Sequence, residues 1–172
     1  MARFDFAKHR RNYSFRVPTE ADIRYVAEHM REEDRREVKR MSGTTHEEAL
    51  RLSVAASRIC YTGLACGEPS CIFGASCVNL CDGTATLWML SSDAVDRHPL
   101  DFAVGSLAGV DRICREMPGI AEFGNFVDAE YGKSMKWVEW LGGQFTKESK
   151  TGLCGGKFRF FFFRNPYTKQ ED

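Results

Sequence analysis

The chain has 172 residues, with 24 Lys plus Arg balanced by 24 Asp plus Glu, so its formal net charge is zero. That length fits a single domain, residues 1–172, able to bury about two-thirds of its unfolded surface. Zero net charge excludes a global field that would draw nucleic acid or an anionic membrane, and a hydrophobic content of 43% is that of an ordinary globular protein.

The opening MARFDFAKHRR places no apolar run behind its charges and does not read as a secretory signal. The longest apolar stretch, FRFFFF, is too short to span a bilayer. The seven cysteines are odd in number and include no C-x2-C pair, which points to a reducing compartment and no metal centre. Cys71 and Cys77 share parity with Phe73 and Ala75 and are read as small core residues on one strand face.

Residues 1–12 read as irregular and 166–172 as a tail. YSFRV, 13–17, alternates like a short strand. Thr19 with Asp22 forms a capping-box pattern that opens a helix carrying Ile23, Val26, Ala27 and Met30. REEDRREVKR, 31–40, mixes signs and pairs Glu32 with Arg36 at i,i+4, which predicts a solvated helix surface. Ser42-Gly43 breaks it. Thr45, with Glu48 three residues on, opens a second amphipathic helix through Ile59.

The periodicity then shortens. YTGLAC (61–66), CIFGASCVNL (71–80) and TATLWMLSS (84–92) read as strands, joined at Gly67-Glu68-Pro69 and at Asp82-Gly83. Pro99 starts a helix that Met117-Pro118-Gly119 ends. AEFGNFVDA (121–129) is a strand and KSMKWVEWL (133–141) a helix. QFTKES (144–149) and KFRFFFFRN (157–165) are two last strands, the latter apolar enough to be covered on both faces. Trp137, Trp140 and Leu141 form one stripe at i, i+3, i+4 and are read as packing residues. Gly142 suits a left-handed helix end, and Gly143 a tight turn into the next strand.

This order, β-α-α-β-β-β-α-β-α-β-β, resembles the GNAT N-acetyltransferase fold over residues 13–165. The resemblance implies an α+β domain with a mixed, mostly antiparallel central sheet flanked by helices. The stretches MREEDRREV, GEPSCIFGASC…TLWMLSSD and VDAEYGKSMKWVEWLGGQF are similar to a group of tailed-phage and prophage proteins related to an internal virion protein. That likeness implies other phage proteins as partners, and a location in the host cytoplasm or the virion.

GNAT enzymes use acetyl-CoA, and the resemblance implies two features. One is a diphosphate cradle, Arg/Gln-x-x-Gly-x-Gly/Ala, at a helix N-terminus. RHPLDF, 97–102, stands there, so Arg97, His98 and Asp101 are the cofactor-binding candidates. Leu100 and Phe102 replace the small residues, and Pro99 removes a backbone donor. The other is a tyrosine that returns a proton to the departing thiolate. Anchoring the family pattern on Gly142 puts Val138 at that place, leaving Tyr131 and Glu130 as the catalytic candidates. Asp128 reads better as a cap of the helix or a turn than as a base, and Cys114 and His98 as structural or exposed.

The preferred expectation is therefore a phage-derived GNAT-fold protein with a degenerate acetyl-CoA site and a binding or virion-associated role. The alternative is an active acyl-CoA-dependent N-acetyltransferase. A nucleic-acid adaptor would need Arg10, Arg11, Arg16, Arg35, Arg36, Lys39 and Arg40 to converge, against the neutral charge.

Overall fold

The computed structural model describes residues 12–79 and 83–168. Its elements run β1 (Tyr13–Arg16), α1 (Glu20–Glu28), α2 (Glu32–Ser42), α3 (His46–Ala56), β2 (Ile59–Ala65), β3 (Glu68–Asn79) and β4 (Thr84–Ser91). They continue with α4 (Ala94–Arg97), α5 (Pro99–Glu116), β5 (Glu122–Asp128), α6 (Gly132–Trp140), β6 (Gln144–Thr151) and β7 (Lys157–Arg164). Among the described residues seven strands form one sheet in the order β1-β2-β3-β4-β5-β7-β6, antiparallel throughout except at β4–β5.

The expected elements are present, with one addition and one shifted turn. The short helix α4 has no periodicity to announce it in four residues. The β2–β3 turn sits at Cys66-Gly67, both at positive φ, so Glu68 and Pro69 begin β3 instead of lying in the turn. The Asp82 half of the next turn, the side chain of Cys77, the basic residues Arg10 and Arg11, and most of the two terminal segments lie outside the described residues.

Strand alternation builds two cores. On one face Phe73, Ala75, Phe123, Val127, Phe161 and Phe163 meet Ile113 and Cys114 of α5 and Val138 of α6. On the other, Ile72 meets Ile23, Val26 and Ala27 of α1 and Leu50 of α3. Burial of such side chains, at about 25 cal/mol per Å² of apolar area, is the main favourable term in folding. Cys71 lies in the first core, as its parity indicated. β7 sits between β5 and β6 with Phe158 fully buried, which accounts for its unbroken apolar run.

Local chemistry fixes the connections. Thr19 and Asp22 cap α1 reciprocally, and the Asp22 carboxylate also takes Arg16 and the Thr62 hydroxyl, tying α1 to β1 and β2. At the other end of the sheet, the Asn165 amide nitrogen donates to the carbonyls of Cys114, Met117 and Ile120 at 2.8–3.1 Å, clasping the exit of α5. At the α6–β6 joint Gly142 adopts φ +97°. A Cβ on Gly143 would stand 2.6 Å from Val138 Cγ1 and 3.0 Å from the Phe163 ring, so only glycine lets the helix end this close to β7. Among the described residues no helix is long and apolar enough to cross a membrane.

Candidate functional site

β4 and β5 pair in parallel at Thr84–Glu122, Ala85–Phe123 and Thr86–Gly124, and then separate. The Asn125 side chain makes the last link, its amide donating to the Leu87 carbonyl at 2.9 Å. Beyond it the strands splay around a cleft of about 370 Å³. Leu87 and Met89 belong to the α5/α6 side of the sheet and Trp88 to the α1/α3 side, and all three line the cleft, so it passes between the strands from face to face.

Helix α2 closes one side. Asp34 accepts from the backbone N–H and hydroxyl of Ser91 at the end of β4, at 2.8 and 2.5 Å. One turn on, Glu37 accepts from the Asp128 N–H at the end of β5 at 3.3 Å. After a further turn, Arg40 pairs with the Asp128 carboxylate at 2.7 Å. This spacing puts all three on one helix face and straps the splayed strand ends together.

The strap overturns the expectation of a solvated helix over 31–40. Arg31, Asp34 and Glu37 line the cleft, and Arg36 pairs with Glu130 instead of Glu32. Mixed charge reads as a surface because the sequence does not reveal which charges meet partners across the sheet.

Electrostatics in this wall are dominated by burial. Arg31 pairs with Asp34 at 3.0 Å and lies 5.9 Å from the Tyr131 ring centre. Burial pushes the Asp34 carboxyl upward, while Arg31 and Ser91 pull it back. Burial pushes Glu37 up to about 8, with the neighbouring Asp34 charge adding to it. Burial also takes the Tyr131 phenol up to about 12. Arg31 Nε and Trp137 Nε1 are buried donors without partners among the described residues, and both side chains line the cleft. Buried donors ordinarily find acceptors, so these two mark places a ligand oxygen could satisfy.

The opposite mouth lies between α5 and α6. There the Phe102 ring stacks on Trp137, with centroids 5.5 Å apart and planes at 17°. Pro99, Asp101 and Phe102 of α5 line the cleft together with Lys133 of α6, as does Asp96, whose charge reaches Arg31. Arg97 does not line it: its guanidinium is held by Glu68 and Asp93, and His98 also lies beside Glu68. Of the three cofactor-binding candidates, only Asp101 faces the cleft.

The catalytic candidates separate in the same way. Tyr131 lines the cleft, whereas Glu130 is exposed and held by Arg36 and Arg40, with its carboxyl below the usual range through the Arg40 hydrogen bond. Asp128 caps the turn by accepting from the Glu130 N–H at 2.9 Å. Cys114 is a core thiol, pushed up to about 11 by burial. Trp137 packs as expected, but Trp140 is 53% exposed, which corrects its assignment to the buried stripe. A nine-residue helix resting on one side of a cleft turns only part of its apolar arc inward.

No protein-family model matches the chain, and no curated sequence is similar to it. Solved structures do match in shape. An acetyltransferase of the GNAT family from Bacillus anthracis superposes with a TM-score of 0.65 at 12% identity, covering 90% of this chain and 95% of that one. A ribosomal-protein alanine N-acetyltransferase from Escherichia coli gives 0.62 at 12%, covering 93% and 97%. Spermidine N-acetyltransferase from Vibrio cholerae, solved with CoA and spermine, gives 0.62 at 11%, covering 90% and 96%. At such identities the likeness is one of fold: the chain has the fold of the GNAT acetyltransferases.

Proposed function

We propose that this protein is a GNAT-fold binding protein whose cleft no longer holds acetyl-CoA in the way its fold implies. We extend to it the virion-associated role that its sequence resemblance suggests, with other phage proteins as partners. The observation that supports this most is the mouth between α5 and α6. A coenzyme's diphosphate needs bare backbone N–H groups at a helix N-terminus and a nearby cation. Here Pro99 lacks the N–H, Phe102 is stacked across to Trp137, and the cleft sets the carboxylates of Asp96 and Asp101 against the cation of Lys133. Arg97, the residue expected to supply the charge, is already neutralised by Asp93 and Glu68. These residues do not fit a diphosphate.

A second reading, an active N-acetyltransferase, is favoured by one feature. Glu37 lines the cleft with its carboxyl raised to about 8, where it would exchange a proton with an amine near neutral pH. The fold is shared by active acetyltransferases, but a fold does not carry an activity.

Thermal unfolding with 1 mM acetyl-CoA separates the two. A ligand bound with micromolar affinity would add about 4 kcal/mol by mass action, whereas the expected rise in Tm is less than about 1 °C. A rise of several degrees, with thiol released when a primary amine is added, would establish the enzyme reading instead. Loss of that rise in Arg97→Ala would then place the diphosphate at this turn.

A further inference from the structure

Cys66, His98 and Asp101 bring a thiol, an imidazole and a carboxylate together with all ligating atoms within 4.8 Å of one another. Cys66 Sγ stands 3.7 Å from Asp101 Oδ2. The residues come from two separate elements: Cys66 from the β2–β3 turn, and His98 and Asp101 from the start of α5. Pro99 fixes the first turn of that helix, and the i,i+3 spacing then sets His98 and Asp101 on the same side.

We propose that these three side chains bind a zinc-class divalent cation. Ligands about 2.0–2.3 Å from a tetrahedral zinc ion stand roughly 3.3–3.8 Å apart, so small side-chain rotations bring this cluster into range. Sulfur, nitrogen and oxygen donors together suit zinc, whereas calcium and magnesium take oxygen alone. Among the described residues three side chains stand here, which leaves a fourth position of a tetrahedral ion for water or another group, and Cys66 is solvent-exposed.

Charge supports a cation here. A bound thiolate and carboxylate together neutralise a dication, and they outweigh the roughly half unit of positive charge at the α5 N-terminus. Glu68, held by Arg97 and Tyr25, places a further carboxylate oxygen 3.6 Å from His98 Nε2 and adds negative charge beside the cluster. Sequence spacing conceals the cluster, because Cys66 is remote from His98 in the chain and no C-x2-C pair announces it.

The test uses the full, reduced, metal-free chain, titrated with zinc by calorimetry and with cobalt by absorption. The wild type should bind one equivalent, and the cobalt form should show a near-ultraviolet thiolate band with strong visible bands of four-coordinate geometry. Cys66→Ser should abolish the thiolate band, and His98→Ala and Asp101→Asn should each weaken binding at least about tenfold. Circular dichroism of each variant without metal checks folding, and if Cys66→Ser fails to fold the Asp101→Asn affinity decides. A wild type that takes up no zinc, a thiolate band surviving in Cys66→Ser, or an affinity unmoved by Asp101→Asn would each overturn the proposal.

Discussion

Asp34 of α2 accepts both the backbone N–H and the hydroxyl of Ser91, and so holds the end of β4 where the sheet has come apart. Its other oxygen takes Arg31. Asp34→Ala would leave a buried guanidinium and a buried N–H without partners, which costs about 3–5 kcal/mol. Chemical denaturation measures this, and a loss below about 1 kcal/mol would show that the strap is not needed to close the cleft.

The two tryptophans of α6 should behave oppositely. Trp137 stacks on Phe102, and its removal should cost roughly 2–4 kcal/mol. Trp140 is more than half exposed, and Trp140→Ala should cost no more than about 1 kcal/mol. Finding the larger loss at Trp140 would mean that the helix presents its other face to the sheet.

Glu37 gives stability a pH signature of definite sign. Its carboxyl is raised from 4.5 to about 8 in the folded chain, so between those values the folded state holds a proton that the unfolded state has released. Its contribution is therefore fully present below about pH 4.5 and lost as pH rises through about 8. Glu37→Gln lacks this titration, so its Tm should gain on the wild type steadily across that interval. A constant difference between the two proteins from pH 5 to 8 would refute the raised carboxyl.

Asn165 satisfies three carbonyls at the exit of α5 with one amide nitrogen. Asn165→Ala removes that donor from all three; Met117 still accepts from the Ile120 N–H and Ile120 from the Thr168 hydroxyl, so the Cys114 carbonyl loses most, and the expected loss is about 1–3 kcal/mol. Hydrogen exchange should also quicken over residues 114–121, and protection equal to the wild type there would show that water replaces the amide.

Much of the fold was legible because its signals are local. The Thr19–Asp22 capping box, Pro99 at a helix start, Gly142-Gly143 at a helix end and the apolar run of β7 each act within a few residues, and each is found where its chemistry indicates. The candidate site was legible only in part. Tyr131 could be named from its place near the last crossover, but Arg31, Asp34 and Glu37 looked like solvent-facing charges. Their partners, Ser91 and Asp128, lie far along the chain.

The order of strands and helices, and the bulky Leu100 and Phe102 at the start of α5, were written in the chain itself, because steric size and backbone preference travel with each residue. Which charges are buried, where β4 parts from β5, and that Arg97 is claimed by Asp93 and Glu68 were decided only when distant segments met. Burial and pairing are properties of surroundings, and surroundings exist only in the folded molecule.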